Sequence, residues 1–263
     1  MINSLENAQN SLFDCSAKGD LLGVERALAG GALVDVLNKD GRTALGLAAN
    51  AGSLRSIEAL LAAGANPNAG SCFSAKPLAA AAKNGHAHCI ASLAAAGANV
   101  REKEAPRQRE PGVLYDCGGM VSIAAFDNRA DVICELIKAG ADPDEQYDGT
   151  SALGVAICLS QREAAFALLE RGASASFVDS SDGKTLAMHA ANVGFLEIMD
   201  PLAEHGCDFA RKSNKGSTAL SIASSSSYTD CAQAIGAILA RAEKAELERL
   251  MPSLPAAKHS GRM

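Results

Sequence analysis

Apolar residues along this chain recur at helical spacing, but only in short runs. Between positions 44 and 63 they form two stretches, Ala44 to Ala51 and about Leu54 to Ala63, separated at Gly52; in the second, Ile57, Leu60 and Leu61 share one face. Asp40-Gly41 ahead of the pair signals a tight turn, Thr43 stands where a helix N-cap belongs, and Gly64 supplies a left-handed C-terminal residue. The pattern predicts a helix, a turn, a second helix and a loop.

The same unit returns along the chain. Leu60-Leu61-Ala62-Ala63-Gly64-Ala65-Asn66-Pro67 is echoed at Leu93 to Asn99, Leu136 to Pro143 and Leu168 to Ala173. Gly31, Gly64, Gly97, Gly140, Gly172 and Gly206 lie 33, 33, 43, 32 and 34 residues apart, so one connection is longer than the rest. Nineteen residues ahead of the first five lie Leu12, Leu45, Leu78, Val121 and Leu153, and Ala187 fills the slot before Gly206. Helices shorter than about 12–15 residues are marginal alone in water, so these pairs must be stabilised by stacking on their neighbours. Ala48-Ala49, Ala124-Ala125 and Ala190-Ala191 permit close approach, in keeping with a chain that is 48% hydrophobic but only 4% aromatic and has no Trp.

Thr43-Ala44-Leu45-Gly46-Leu47-Ala48-Ala49 and Thr218-Ala219-Leu220-Ser221-Ile222-Ala223 resemble the ankyrin signature T-P-L-H-x-A, which has a period of about 33. The resemblance rests on period and copy number, because no copy carries the whole signature: Pro77 alone keeps the proline, and the His after the Leu is absent. Lys76 and Gly119 replace the capping Thr, while Asn128 and Ser160 stand where Gly52, Gly85 and Gly194 mark the turn between helices. The fold implied is all-α, an ankyrin-repeat solenoid of about seven helix-turn-helix repeats with short β-hairpin-like loops. As one domain over 1–251, the repeats span about 8–37, 38–70, 71–100, 114–146, 147–179, 180–212 and 213–250, with a long loop at 101–113 and a flexible tail at 252–263. Repeats four and five are expected to be the least regular. Lys18, Asp20, Glu25 and Arg26 give the first repeat a polar outer face, and the last, after a loop Ser224 to Ser227, runs as a longer helix with charged residues from Arg241 to Arg249 exposed.

The resemblance also implies where a partner binds: the hairpin tips and the exposed side of each first helix. The positions nominated are Phe73, Lys83 and Asn84 in repeat three, Tyr115, Asp116, Phe126 and Asp127 in repeat four, and Tyr147 and Asp148 in repeat five. With seven Phe and three Tyr in the chain, four aromatics in these columns is an uneven share, and aromatics are preferred interface anchors. Filling gaps in an alanine-rich core would account for them equally well. Asp40, Asp148 and Asp182 each precede Gly, which a turn explains without a ligand. Arg101 to Pro111, with mixed charge and two prolines, reads as a solvated extended finger.

The remaining chemistry narrows function by exclusion. Lys and Arg number 24 against 30 Asp and Glu, a net charge of -6, which opposes phosphate-backbone binding and leaves a protein partner, with a basic surface if the aspartates face it. No run of about 20 apolar residues and no secretory start is present, so a cytoplasmic monomer off the membrane is expected. Eight scattered cysteines read as free thiols. His86 and His88 with Cys89, and His205 with Cys207, offer too few ligands for zinc; His86 and His205 read as caps and His189 as partly buried. Neither a G-x-x-x-x-G-K phosphate loop nor a G-x-S-x-G elbow occurs, so no catalytic residue, metal or cofactor is assigned. The expectation is a non-enzymatic adaptor or scaffold; the alternative is an immunity-type inhibitor that occludes a toxin or enzyme.

Overall fold

The computed structural model describes residues 2–103, 119–147 and 149–250, with side chains other than those of 2–4, 74 and 147. The expected finger therefore lies outside the described residues beyond Lys103, as does the expected tail. The chain groups into two compact units, Met1–Phe177 and Val178–Met263.

The first unit holds five helix pairs: α1 (Ile2–Lys18) with α2 (Leu21–Ala29), α3 (Ala44–Ala51) with α4 (Leu54–Ala62), α5 (Pro77–Asn84) with α6 (Ala87–Ala95), α7 (Met120–Phe126) with α8 (Ala130–Lys138), and α9 (Ala152–Cys158) with α10 (Arg162–Glu170). The first helices pack in one row and the second helices in another, and each pair closes on itself. The stack continues across the long connection, because α5 packs on α7 and α6 on α8. A short antiparallel hairpin, β1 (Gln146–Tyr147) against β2 (Thr150–Ser151), leads into α9. The second unit holds α11 (Leu186–Val193) with α12 (Met199–Glu204), and α13 (Ala219–Ser225) with α14 (Thr229–Leu250), again packed first on first and second on second.

The repeated apolar slot is the core. Leu12, Leu45, Leu78, Val121, Leu153 and Ala187 are all buried. In α4 the face is narrower than the spacing suggested, for Ile57 and Leu60 are fully buried while Leu61 is only half-buried, at the rim between helices. Helix starts follow the capping rule: the side chains of Thr43, Ser151, Thr185 and Thr218 accept hydrogen bonds from the amides of Gly46, Gly154, Met188 and Ser221. The first helices α5 and α7 have Lys76 and Gly119 in place of that hydroxyl, and α5 has Pro77 in its first turn, where the missing N–H costs nothing.

Two expectations need correction. The serine run is not all loop, since Ser224 and Ser225 close α13, their hydroxyls donating back to the Leu220 and Ile222 carbonyls. Nor is the first repeat's surface purely polar: Leu5, Leu22, Leu33 and Leu37 are exposed, while Asp20 serves locally as the N-cap of α2, accepting from the Gly23 amide. The last ten residues of α14, from Arg241 on, are exposed as expected.

Burial also sets the thiol chemistry. Desolvation pushes the Cys89 thiol up to about 11, helped by the Glu58 charge, and burial does the same to Cys207. Because the thiolate is the reactive form, iodoacetamide near pH ~8 is expected to leave both residues unmodified in the folded protein and to label both in urea. Peptide mass spectrometry reads the result, and labelling of either at the unfolded rate without denaturant would contradict it.

Candidate functional site

The second, third and fifth helix pairs of the first unit are each tied to the one before by side chains that reach back across the turn. Ser53 donates through its hydroxyl to the Gly19 carbonyl at 3.3 Å, His86 Nε2 lies 3.1 Å from the Asn50 carbonyl oxygen, His88 Nε2 lies 3.0 Å from that of Gly52, and Gln161 Nε2 donates to the Phe126 carbonyl at 2.9 Å. His86 therefore serves the preceding repeat's first helix instead of capping its own, whereas His205 Nδ1 does meet a carbonyl of its own helix, that of Pro201, at 2.8 Å. The turn glycines make room for this contact: a Cβ on Gly52 would come within 2.5 Å of His86 Nδ1, and one on Gly85 within 1.7 Å of Arg129 Nη1. Asn128 holds the same left-handed backbone, φ 55°, and makes the link itself, accepting from the Ala164 amide and donating to Glu163.

A second ladder runs through the loops. The Asp35 carboxylate accepts from the Asn66 amide at 2.9 Å, the Asn68 side chain from the Asn99 amide at 2.8 Å, and Asp144 from the Ser174 amide at 2.6 Å. In each case the accepting side chain lies four residues after one loop glycine and the amide it meets lies two residues after the next.

The ends of the first helices form a column over successive repeats. Ala51, Lys83, Asn84, Phe126 and Asp127 are exposed, and Leu159 is half-exposed. Arg42 Nη1 and Asn84 Nδ2 both donate to Asn50 Oδ1 at 3.1 Å, joining repeats two and three. Phe126 is 36% exposed, and the Asp127 carboxylate lies 3.5 Å from Arg129 Nε. Of the nominated residues, the structure brings Lys83, Asn84, Phe126 and Asp127 into this column. Phe73 does not belong with them: it opens a short 3-10 turn, Phe73–Ala75, and is buried beside Leu78, Ala79 and Met120. Its ring fills space between repeats, the packing role that an alanine-rich core invites. Tyr115, Asp116 and Asp148 lie outside the described residues, and Tyr147 is described by its backbone alone, in β1 opposite Thr150.

One cluster in the second unit was not visible from residue spacing. Asp179, Asp182 and His189 bring possible ligand atoms within 4.8 Å of one another. The Asp182 carboxylate is already paired with the Lys184 ammonium at 2.7 Å, and Asp179 Oδ1 accepts from both the amide and hydroxyl of Ser181. Burial, aided by the Lys184 charge, holds the His189 imidazole below its ordinary value. The arrangement fastens the turn before α11. No helix among the described residues is long and apolar enough to cross a membrane.

Rows of short helix pairs, packed first on first and second on second within each unit, define a helical repeat protein. The family described as Ankyrin repeats (3 copies) matches residues 12–104 and 163–237, and the chain belongs to it. A stretch of 78 residues is 37% identical to the B-cell lymphoma 3 protein homolog of Mus musculus, covering 30% of this chain and 17% of that protein. The fold is similar to the human ASB11 ankyrin repeat domain, with a TM-score of 0.68 at 24% identity over 86% of this chain and 96% of that one. Ankyrin repeats are in general protein-interaction modules, typically without enzymatic activity.

Proposed function

We propose that this chain is a non-enzymatic binding protein that captures a protein partner on the column formed by the first-helix ends of repeats two to five. The observation that carries this reading is Phe126: a large aromatic, 36% exposed, in a row that also carries Lys83, Asn84 and Asp127 and is held in register by inter-repeat hydrogen bonds. An aromatic with a polar rim is the usual composition of an interface hot spot. Lys83 and Asp127 flank it with opposite charges, which favours a partner with a mixed polar surface over the purely basic one that the aspartates suggested. The net charge of -6 supports a protein rather than a nucleic acid in that position.

Affinity capture on the wild-type chain, followed by a direct binding measurement with whichever protein is recovered, tests the proposal. Phe126→Ala is expected to weaken that complex by about five- to thirtyfold in Kd, the range of an ordinary hot spot, with the urea midpoint unchanged. An unchanged Kd would remove Phe126 from the interface. A shifted urea midpoint would make it a packing residue instead.

A further inference from the structure

The helix that resumes the stack after the long connection begins without a capping hydroxyl. Gly119 occupies the N-cap position of α7, where α3, α9, α11 and α13 carry Thr or Ser, yet its backbone, φ -79° and ψ 173°, is the ordinary extended one also seen at Thr43, φ -82° and ψ 167°. Backbone conformation therefore does not call for a glycine there. Space does: a Cβ on Gly119 would lie 1.9 Å from Oε2 of Glu145.

Glu145 comes from the loop after α8 and is only 3% exposed. Its Oε1 accepts from the Ser122 hydroxyl at 3.1 Å and from the Ser122 amide at 3.3 Å, and that amide is the one an N-cap side chain normally satisfies. Its backbone carbonyl accepts from the Ala152 amide at 3.0 Å, which fixes it to the start of α9. On the other side stands Lys103, joined to Gly119 by an antiparallel bridge and acting on the carboxylate by its charge. Among the described residues, the charged groups acting on the carboxylate are Lys103 and, with opposite sign, Asp142; burial pushes its pKa up, with the Asp142 charge adding to this, while the bonds from Ser122 and the Lys103 charge act against it.

We propose that Glu145 is a clasp: it stands in for the missing N-cap of α7 and at the same time draws together Lys103 and Gly119, the two residues at the root of the connection 104–118. A buried carboxylate supplied by the following loop does two tasks, and the glycine exists to admit it. Closing the root there lets repeats three and four stack as neighbours although ten extra residues separate them in sequence.

The two tasks can be separated by experiment. In Glu145→Ala, amide hydrogen exchange at Ser122 is expected to accelerate by about five- to tenfold, the loss of one cap, and cleavage by trypsin after Lys103 to accelerate similarly, with exchange in α3 to α6 unchanged. Adding Gly119→Thr to that variant restores a hydroxyl in the vacated space, so Ser122 protection returns while cleavage after Lys103 stays fast. Glu145→Gln, which keeps an acceptor oxygen but no charge, retains Ser122 protection and loosens Lys103; it also serves should the alanine variant not fold. Ser122 exchange and Lys103 cleavage within twofold of wild type in Glu145→Ala would overturn the clasp. So would a uniform acceleration across the unit that Gly119→Thr fails to repair.

Discussion

Replacing Leu60 by alanine is expected to cost about 2–5 kcal/mol of stability, the range for emptying a fully buried leucine site. Leu60 is 0% exposed, and α4 packs against α2, α3 and α6, so the cavity opens among three neighbouring helices that cannot all collapse into it. Leu61, one residue on, is half-buried, and its alanine variant should lose only about 1 kcal/mol. Urea unfolding followed by far-ultraviolet circular dichroism compares the two. Equal losses would mean that the face of α4 had been assigned wrongly.

The second large effect is expected at Gly52. Its φ of 70° is left-handed, which costs any residue with a Cβ roughly 1–2 kcal/mol. An added methyl would also stand 2.5 Å from the His86 ring, whose other nitrogen is bonded to the Asn50 carbonyl. Expelling that ring removes an inter-repeat hydrogen bond worth about 0.5–1.5 kcal/mol, so Gly52→Ala should lose about 2–3 kcal/mol in all. Gly64 is the control, since its φ is 88° but nothing lies within 4 Å of the place a Cβ would take; Gly64→Ala should show the backbone cost alone. The difference between the two should vanish in a His86→Ala background. If it persists, His86 is not what makes Gly52 special.

The period, the helix pairs and the buried slot from Leu12 to Ala187 could be read from residues, because they depend on spacing along one chain segment. Thr43 as a cap follows from the same local logic. Contacts that join one repeat to the next were hidden, since His86 looks the same whether it caps its own helix or the one 36 residues earlier. Glu145 was hidden for a stronger reason: an acidic residue in a loop reads as solvated, and only the neighbouring Gly119 hinted that something else needed its place. At the candidate surface, the exposed helix ends at Lys83, Asn84, Phe126 and Asp127 followed from repeat register. Phe73 did not, because a three-residue 3-10 turn rotates the chain just before α5 and carries the ring inward.

The reach-back bonds end on main-chain carbonyls, those of Gly19, Asn50, Gly52 and Phe126. Every amino acid brings that same oxygen, whatever its side chain. The scaffold is thereby insulated from what is written at position 126 of its outward column: that residue can change chemical character, and with it the molecule that is recognised, while the joint to Gln161 keeps the same acceptor.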